Sequence, residues 1–403
     1  MIKIENKERC CGCSACANIC PKNCISMEED NEGFIYPVVD LKSCINCKLC
    51  EKVCPNKKNT PTRKSKPITY AAKINDDEIR NQSSSGGIFS ILAEAVLNEN
   101  GVVYGVAMSD DLKSAHHIRV DSIDDMYKLR GSKYLQASVG DMYRSVKEDL
   151  KNGKKVLFSG APCQINGLKL FLEKDYEKLI TIEVICHGTP SPALWKKYCE
   201  HIENKYNGQI KTVNFREKRN GWKKFGLVEE GNNISQYLSL SDDPYMIMFL
   251  RDYCLRPSCY DCNAKKLESM ADLTIADFWG INNVAPEMDD DKGTSLVLVQ
   301  TEKGNVLLNT LKDKFIGKKV DYEESIIYNK SYFQSVNKPK ERKTFFSDMN
   351  NISFDELKNK YCKKDRFTKR VINKAKRIIK TIIRRGGVKI SKFEYGLLIT
   401  IKK

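Results

Sequence analysis

The chain has 403 residues, long for a single core and suited to two or three domains, with 68 Lys and Arg against 52 Asp and Glu for a formal net charge of +16. Nearly all of that excess lies between Lys360 and Lys403, so the number describes a basic tail on a balanced body and argues against nucleic-acid binding. The 17 cysteines follow no apolar leader, and no apolar run long enough for a membrane span occurs, so the expectation is a cytoplasmic protein whose thiols bind metal.

The first element carries the chemistry. Cys10, Cys13, Cys16 and Cys20 are followed by Pro21, and Cys44, Cys47, Cys50 and Cys54 by Pro55; both runs read C-x2-C-x2-C-x3-C-P. That is the spacing of bacterial ferredoxins with two 4Fe-4S clusters, in which the fourth cysteine of each run serves the other run's cluster. Cluster one would take Cys10, Cys13, Cys16 and Cys54, and cluster two Cys44, Cys47, Cys50 and Cys20. The prolines turn the chain away after the last ligand. Isolated C-x2-C pairs also form zinc sites, but the template occurs twice with the proline in register, which favours iron–sulfur. Cys11 and Cys24 lie outside it and read as spare or packing thiols. Residues 1–58 are therefore expected to be an α+β ferredoxin-like two-cluster domain, too small to cohere without its clusters.

Residues 59–67, polar and proline-flanked, read as a linker. From Ile68 the pattern alternates strand and helix: a strand over 68–74, a helix from Ile88 to Gly101, a strand over 102–107 and a helix face from Val139 to Leu150. Strands over 155–159 and 180–186 and a helix from Ser191 to about Lys205 follow, then strands near 209–216, 273–276 and 295–300. This rhythm predicts an α/β body with some parallel pairing, in parts spanning 68–150 and 151–337. Residues 338–403 read as a basic tail with a C-terminal basic amphipathic helix, Phe367, Val371, Ala375, Ile378 and Ile382 sharing one face until Gly386 and Gly387 stop it. Such a helix can lie on anionic lipid at the inner membrane face, dock on a partner, or pack its isoleucines on the body.

A second cysteine set lies in the body. Cys163 and Cys186 each sit where an apolar strand ends, and Cys259 and Cys262 form a C-x2-C pair. Sites in open α/β sheets gather at the carboxyl ends of strands, so these four could hold a third cluster. Cys254, Cys259 and Cys262 alternatively match plant-type 2Fe-2S spacing, and Cys163 could be a thiolate activated by a helix N-terminus. The Ser83–Gly87 turn before a helix offers open backbone N–H groups to a cofactor phosphate, or is a serine cap with flexible glycines. No nicotinamide fingerprint and no P-loop occur.

With these segments in hand, the chain resembles the beta-subunit family of coenzyme F420 hydrogenases and dehydrogenases. The likeness rests on the two ferredoxin runs, Ser-Ser-Gly-Gly87, Gly131-Ser-Lys-Tyr134, Ser159-Gly-Ala-Pro-Cys-Gln164, Cys186-His-Gly188, Leu255-Arg-Pro-Ser-Cys-Tyr-Asp-Cys262 and Ala276-Asp-Phe-Trp-Gly280. It implies FAD in the α/β body, with Ser85, Gly86, Gly87, Gly131, Ser132, Lys133 and Tyr134 contacting the flavin and Lys133 neutralising phosphate or the reduced ring. Without the family, Lys133 reads as an exposed lysine. The resemblance also supports a third 4Fe-4S cluster on Cys163, Cys186, Cys259 and Cys262. Named members use coenzyme F420, though no residue here reads that coenzyme, and some related chains with basic tails are tied to polysaccharide synthesis. The expectation is an iron–sulfur flavoprotein oxidoreductase relaying electrons between clusters and FAD to an organic acceptor, with ferredoxin or a partner subunit as redox partner. The alternative is a non-catalytic electron-transfer subunit. No catalytic residue is assigned; His187 is a candidate proton donor or simply orients a strand end.

Overall fold

The computed structural model describes residues 1–57, 66–265 and 270–363. The amphipathic helix expected over 367–383 and most of the expected linker lie outside them. Each cysteine run wraps into a short helix, α1 (Ala15–Ile19) and α2 (Leu49–Lys52), joined through a hairpin of β1 (Ile25–Glu29) and β2 (Ile35–Val39). The two runs repeat in backbone as well as in sequence. Gly12 and Asn46, and then Ser14 and Lys48, occupy matching places and all adopt positive φ, at 70°, 52°, 61° and 62°. Such alternation turns successive N–H groups toward one centre, a backbone suited to surrounding anionic sulfur.

The body begins with β3 (Ile68–Ile74), α3 (Asp77–Gln82), α4 (Ile88–Asn98), β4 (Val102–Met108), β5 (Ala115–Val120) and β6 (Ala137–Ser138). It continues through α5 (Met142–Lys151), β7 (Val156–Gly160), α6 (Pro162–Leu172), β8 (Leu179–Val184) and α7 (Pro192–Tyr206). A small antiparallel sheet of β9 (Gln209–Glu217), β10 (Gly226–Asn232) and β11 (Ile234–Ser239) leads to α8 (Pro244–Leu250). Three strands, β12 (Leu273–Asp277), β13 (Ser295–Val299) and β14 (Phe315–Lys319), complete the nine-stranded main sheet, in the order β14-β3-β13-β12-β8-β7-β4-β5-β6.

The neighbouring strands β12, β8, β7 and β4 run parallel, whereas β13, β3, β14 and β5 pair antiparallel. The buried runs Val156-Leu-Phe158 and Leu179-Ile-Thr-Ile182 explain the centre, because parallel strands covered on both faces need apolar residues at every position. On one face α4 lays Ile88, Ile91, Leu92 and Val96 over Val103, Leu157 and Ile182. On the other, Tyr143, Val146, Ile165 and Leu168 of α5 and α6 pack on Tyr104, Val156 and Phe158, together with Cys13, Ala15 and Val53 from the cysteine-rich segment. That segment therefore shares its core with the body, and Met1–Phe354 forms one compact unit.

The compact unit also runs past Asn337, where the tail was expected to begin. Helix Arg342–Asn351 buries Phe345, Phe346 and Met349, sets Phe346 edge-on to Phe34 at 6.1 Å, and joins Arg342 to Glu32 at 2.6 Å. A second unit starts at Asp355.

Between α7 and the small sheet, the Tyr198 hydroxyl lies 2.8 Å from the Glu229 carboxylate and 2.6 Å from that of Asp243. One hydroxyl proton cannot serve two anions. Burial first, and then the charge of Asp243, push the Glu229 carboxyl up to about 8. Its folded value stands above the ordinary carboxylate range, so the folded chain holds an extra proton in the window between, and stability falls as pH rises through it. Glu229→Gln should remove this fall, which has a limiting slope of ~1.4 kcal/mol per pH unit. Urea midpoints in a pH series would show the variant gaining on the natural protein toward pH 8; parallel curves would refute the assignment.

Candidate iron–sulfur centres and cofactor site

Because β3 runs in the same sense as β12, β8, β7 and β4, their carboxyl ends share one edge of the sheet. Cys163 follows β7, Cys186 follows β8, and the Ser83–Gly87 turn follows β3 by way of α3. Gly131–Tyr134 enters β6 from that same edge, since β6 runs with β5 and against β4. The fold thus assembles most of the expected site residues on one rim, where open α/β sheets place their ligands.

Cys163, Cys186, Cys259 and Cys262 all line one cavity, with His187 and Lys265 in the same wall. The Thr189 N–H points at the Cys259 sulfur at 3.3 Å. Burial pushes the Cys186 thiol up to about 11 and that of Cys262 up to about 12. Cys254 is buried outside this wall, and its carbonyl accepts from the Ser191 N–H, so the set 254, 259 and 262 is not what the fold gathers. The Cys163 thiol is held well above its ordinary value by its hydrogen bond with Cys11 and by burial, which argues against an activated thiolate.

In the N-terminal segment Cys20, Cys44, Cys47 and Cys50 line a second cavity. Cys16 lies within electrostatic range of Cys10 and Cys54, and Cys13 within range of Cys16. Cys54 of the second run thus lies near Cys10 and Cys16 of the first, and Cys20 of the first run lines the cavity of Cys44, Cys47 and Cys50. Backbone N–H groups of Gly12, Ala15 and Ala17 turn onto the sulfurs of Cys10, Cys13 and Cys16. Among the described residues no three His, Cys, Asp or Glu side chains converge on a point suited to a single metal ion. Thiols gathered around cavities have the donor chemistry that a cationic cluster would ionise, and burial holds those of Cys16, Cys54, Cys186 and Cys262 toward the neutral form until it does.

Four residues at these centres have places that the sequence reading did not give them. Cys11 interacts with both Cys13 and Cys163, so the supposedly spare thiol stands between cysteines of the N-terminal run and the body. Cys24 lines the second cavity, 3.4 Å from the Cys20 sulfur. Arg256, only 1% exposed, donates to the carbonyls of Cys10 (2.7 Å) and Ile35 (2.9 Å) and to Gln136 (3.1 Å), with a longer approach to the Cys10 sulfur at 3.6 Å. Its place directly before Pro257-Ser-Cys259 was the available signal, a cation beside a ligand pair. Lys265 is also buried and donates to the carbonyls of His187 and Gln334. His187, the candidate proton donor, bonds Asp252 through Nε2 at 2.6 Å.

The two segments expected at a flavin meet, but not through every expected residue. Ser84 joins Ser132 by two hydrogen bonds, Oγ to Oγ at 2.9 Å and from the Ser132 N–H at 2.8 Å. Gly86 and Gly87 are buried under the sheet: a Cβ on Gly86 would stand 2.3 Å from the Ala72 carbonyl, and one on Gly87, at φ 85°, 2.6 Å from Ile74. Their small size serves packing. Ser85 donates to the Thr294 carbonyl and accepts from Lys218. Gly131, at φ 76°, faces open space. Tyr134 stands edge-on to Phe215 at 5.7 Å, and its carbonyl accepts from the Tyr245 hydroxyl. The half-buried Lys133 donates to the carbonyls of Lys128 and Arg130, and desolvation pushes its ammonium down to about 7. Around the serine turn lie Arg216, bonded to the Ser84 carbonyl and to Asp277, and Lys218, pushed down to about 7 by burial and by Arg216. The Nε atoms of Arg130 and Arg216 are buried without a hydrogen-bond partner. A cationic, donor-rich turn with unpartnered N–H groups fits an anionic cofactor group.

No helix among the described residues is long and apolar enough to cross a membrane. Comparison with known proteins supplies the family. An uncharacterized protein of Methanocaldococcus jannaschii is 27% identical over 216 residues, a match covering 44% of this chain and 56% of that protein. The chain thus spans little more than half of that relative's length. A chain of the F420-reducing nickel–iron hydrogenase complex from Methanosarcina barkeri superposes with a TM-score of 0.45 at 18% identity, over 68% of this chain and 93% of that one. Residues 9–58 match the 4Fe-4S dicluster domain, residues 69–142 the N-terminal part of the coenzyme F420 hydrogenase/dehydrogenase beta subunit, and residues 153–324 its C-terminal part. With both parts of the beta subunit matched in order behind a 4Fe-4S dicluster module, the chain belongs to the coenzyme F420 hydrogenase/dehydrogenase beta-subunit family.

Proposed function

We propose that the protein is an iron–sulfur flavoprotein oxidoreductase relaying electrons between three 4Fe-4S clusters and FAD, for the reduction or oxidation of an organic acceptor. Cys10, Cys13, Cys16 and Cys54 would hold the first cluster, Cys44, Cys47, Cys50 and Cys20 the second, and Cys163, Cys186, Cys259 and Cys262 the third. When bound, the clusters would supply one-electron transfer and the flavin the exchange between one- and two-electron chemistry. The observation carrying this reading is the single cavity lined by Cys163, Cys186, Cys259 and Cys262, with Cys11 interacting with Cys13 of the first set and Cys163 of the third. It makes the N-terminal module continuous with the body's own cysteines.

The chain's residues divide the remaining work. Arg256 and Lys265 place permanent or ready positive charge against cysteines that would carry negative charge, without a carboxylate taking it up among the described residues. His187 and Asp252 hold a proton on the wall of the third cavity. Ser85, Ser132, Lys133 and Tyr134 remain the candidate flavin contacts, with Gly131 leaving room and Arg130 and Arg216 adding positive charge nearby; Gly86 and Gly87 shape the turn. A second reading, an electron-transfer subunit with no substrate of its own, draws on the family's description as a beta subunit. The acceptor separates the two. Reoxidation of the reduced protein by one of deazaflavin, nicotinamide or a sugar-linked compound supports the enzyme, and reoxidation by protein partners alone supports the subunit.

Protein purified and reconstituted without oxygen should contain about twelve iron, about twelve sulfide and one flavin per chain, at four irons per cluster. Cys186→Ser should lose about four of the irons and keep about eight. A zinc-filled, flavin-free chain would sink the reading. For Arg256, removal of a buried positive charge disfavours the electron-rich form beside it. Arg256→Gln should therefore lower the midpoint potential of the cluster at Cys10 in a titration followed by electron paramagnetic resonance. An unchanged potential would leave Arg256 a packing role only.

A further inference from the structure

Of the 17 cysteines, Cys47 alone is exposed. It lies in the wall of the second cavity, and the surface around it differs from the rest of the N-terminal segment in two respects. It is apolar where apolar groups are usually withdrawn, with Leu41 66% and Ile45 59% exposed. Scattered exposed hydrophobics need no explanation, but these belong to one short stretch running into the cysteine run. It is also rich in cations. Lys22 and Lys48 line the same cavity as Ile45 and Cys47, and Lys42 and Lys52 are exposed on the adjoining turn and helix. None of these four lysines makes an ion pair among the described residues, whereas the nearby acids are taken: Asp40 accepts from the Lys42 N–H and the Ser43 hydroxyl, and Glu51 pairs with Lys57 at 2.7 Å.

We infer that this surface is the docking site of an acidic one-electron carrier protein of the ferredoxin type. The inference rests on the cluster reading above and adds where the electron enters and what charge the partner bears. Exposed apolar side chains beside unpaired lysines match the weak, transient interfaces of redox encounters, in which charge steers association and apolar contact seats the complex. The exchange needs no bond change and no proton: the reduced carrier loses one electron and the metal centre behind Cys47 gains it. Lysine placement also selects against basic carriers through like-charge repulsion.

The test is stopped-flow reduction of the cluster-loaded full chain by a reduced ferredoxin of net negative charge, at rising ionic strength. The second-order rate constant should fall as salt rises, since screening weakens steering. Lys22→Glu combined with Lys42→Glu should lower the low-salt constant at least tenfold, the smaller end of the range for steering. Iron content and visible absorbance of the variant report whether its clusters persist. If the natural protein holds no iron, the cluster reading fails; if it is loaded yet indifferent to salt, or is reduced as fast by a basic carrier, the docking proposal alone is overturned. Sedimentation closes the remaining case: a dimer of the natural chain that Ile45→Glu dissociates would make the patch a self-interface and overturn the proposal. Salt dependence is read on the natural protein, so a variant that misfolds does not remove the test.

Discussion

Arg256 holds a full positive charge almost entirely out of water, and its hydrogen bonds end on two carbonyls and one amide oxygen. An isolated buried ion of this kind costs several kcal/mol unless opposite charge lies close by. The groups near enough to supply it are cysteines: Cys10, Cys11 and Cys259 all act on the guanidinium. The side chain comes from the turn that carries Cys259, reaches the loop that carries Cys10, and touches Gln136 just before β6. Three parts of the chain far apart in sequence are thus registered by one cation, and Tyr36 and Phe34 lay their rings against it at 4.2 and 5.5 Å.

That arrangement changes what stabilises the N-terminal segment. A unit this small was expected to depend on its clusters, yet Cys13, Ala15 and Val53 belong to the same apolar cluster as Tyr143, Phe158 and Ile165. The approach is close: a Cβ on Gly167 of α6 would stand 3.0 Å from the Cys13 sulfur and from the Tyr143 hydroxyl, so a side chain there would push on both. Glu32 and Arg342 tie the hairpin loop to the last helix of the compact unit. Cluster binding and apolar packing are therefore coupled, the body supplying the surface that the short segment lacks.

The local elements were legible because periodicity and spacing are local signals. The strands over 68–74, 102–107, 155–159 and 180–186 and the helices after Ile88 and Ser191 form where their patterns put them, with ends shifted by a few residues. The cysteine sets were legible for the same reason, the template being written twice. Pairings across the chain were not: β14 lies beside β3 although some 240 residues separate them in sequence, and nothing in either strand names its neighbour. Arg256 reaches Cys10 across a separation of 246 residues. Helix Arg342–Asn351 did carry a signal, Phe345, Phe346 and Met349 at helical spacing, which the surrounding lysines obscured. The serine–glycine turn was read as offering open backbone N–H groups, whereas the Gly86 N–H is taken by the Ser295 hydroxyl and Ser84 and Ser85 make side-chain contacts of their own.

The crossed cysteine sets bear on how such a protein is built and lost. Cys20 and Cys54 each belong to one run by sequence and to the other by position. With the proposed ligands, neither inorganic core can be completed until both runs have folded, so maturation becomes all-or-none in place of two independent loadings. Damage has the same character. An oxidant that strips the core behind the exposed Cys47 releases Cys20, and with it the end of α1 that positions Cys16 in the neighbouring core. The most accessible metal in the molecule would then set the lifetime of the one beside it in air.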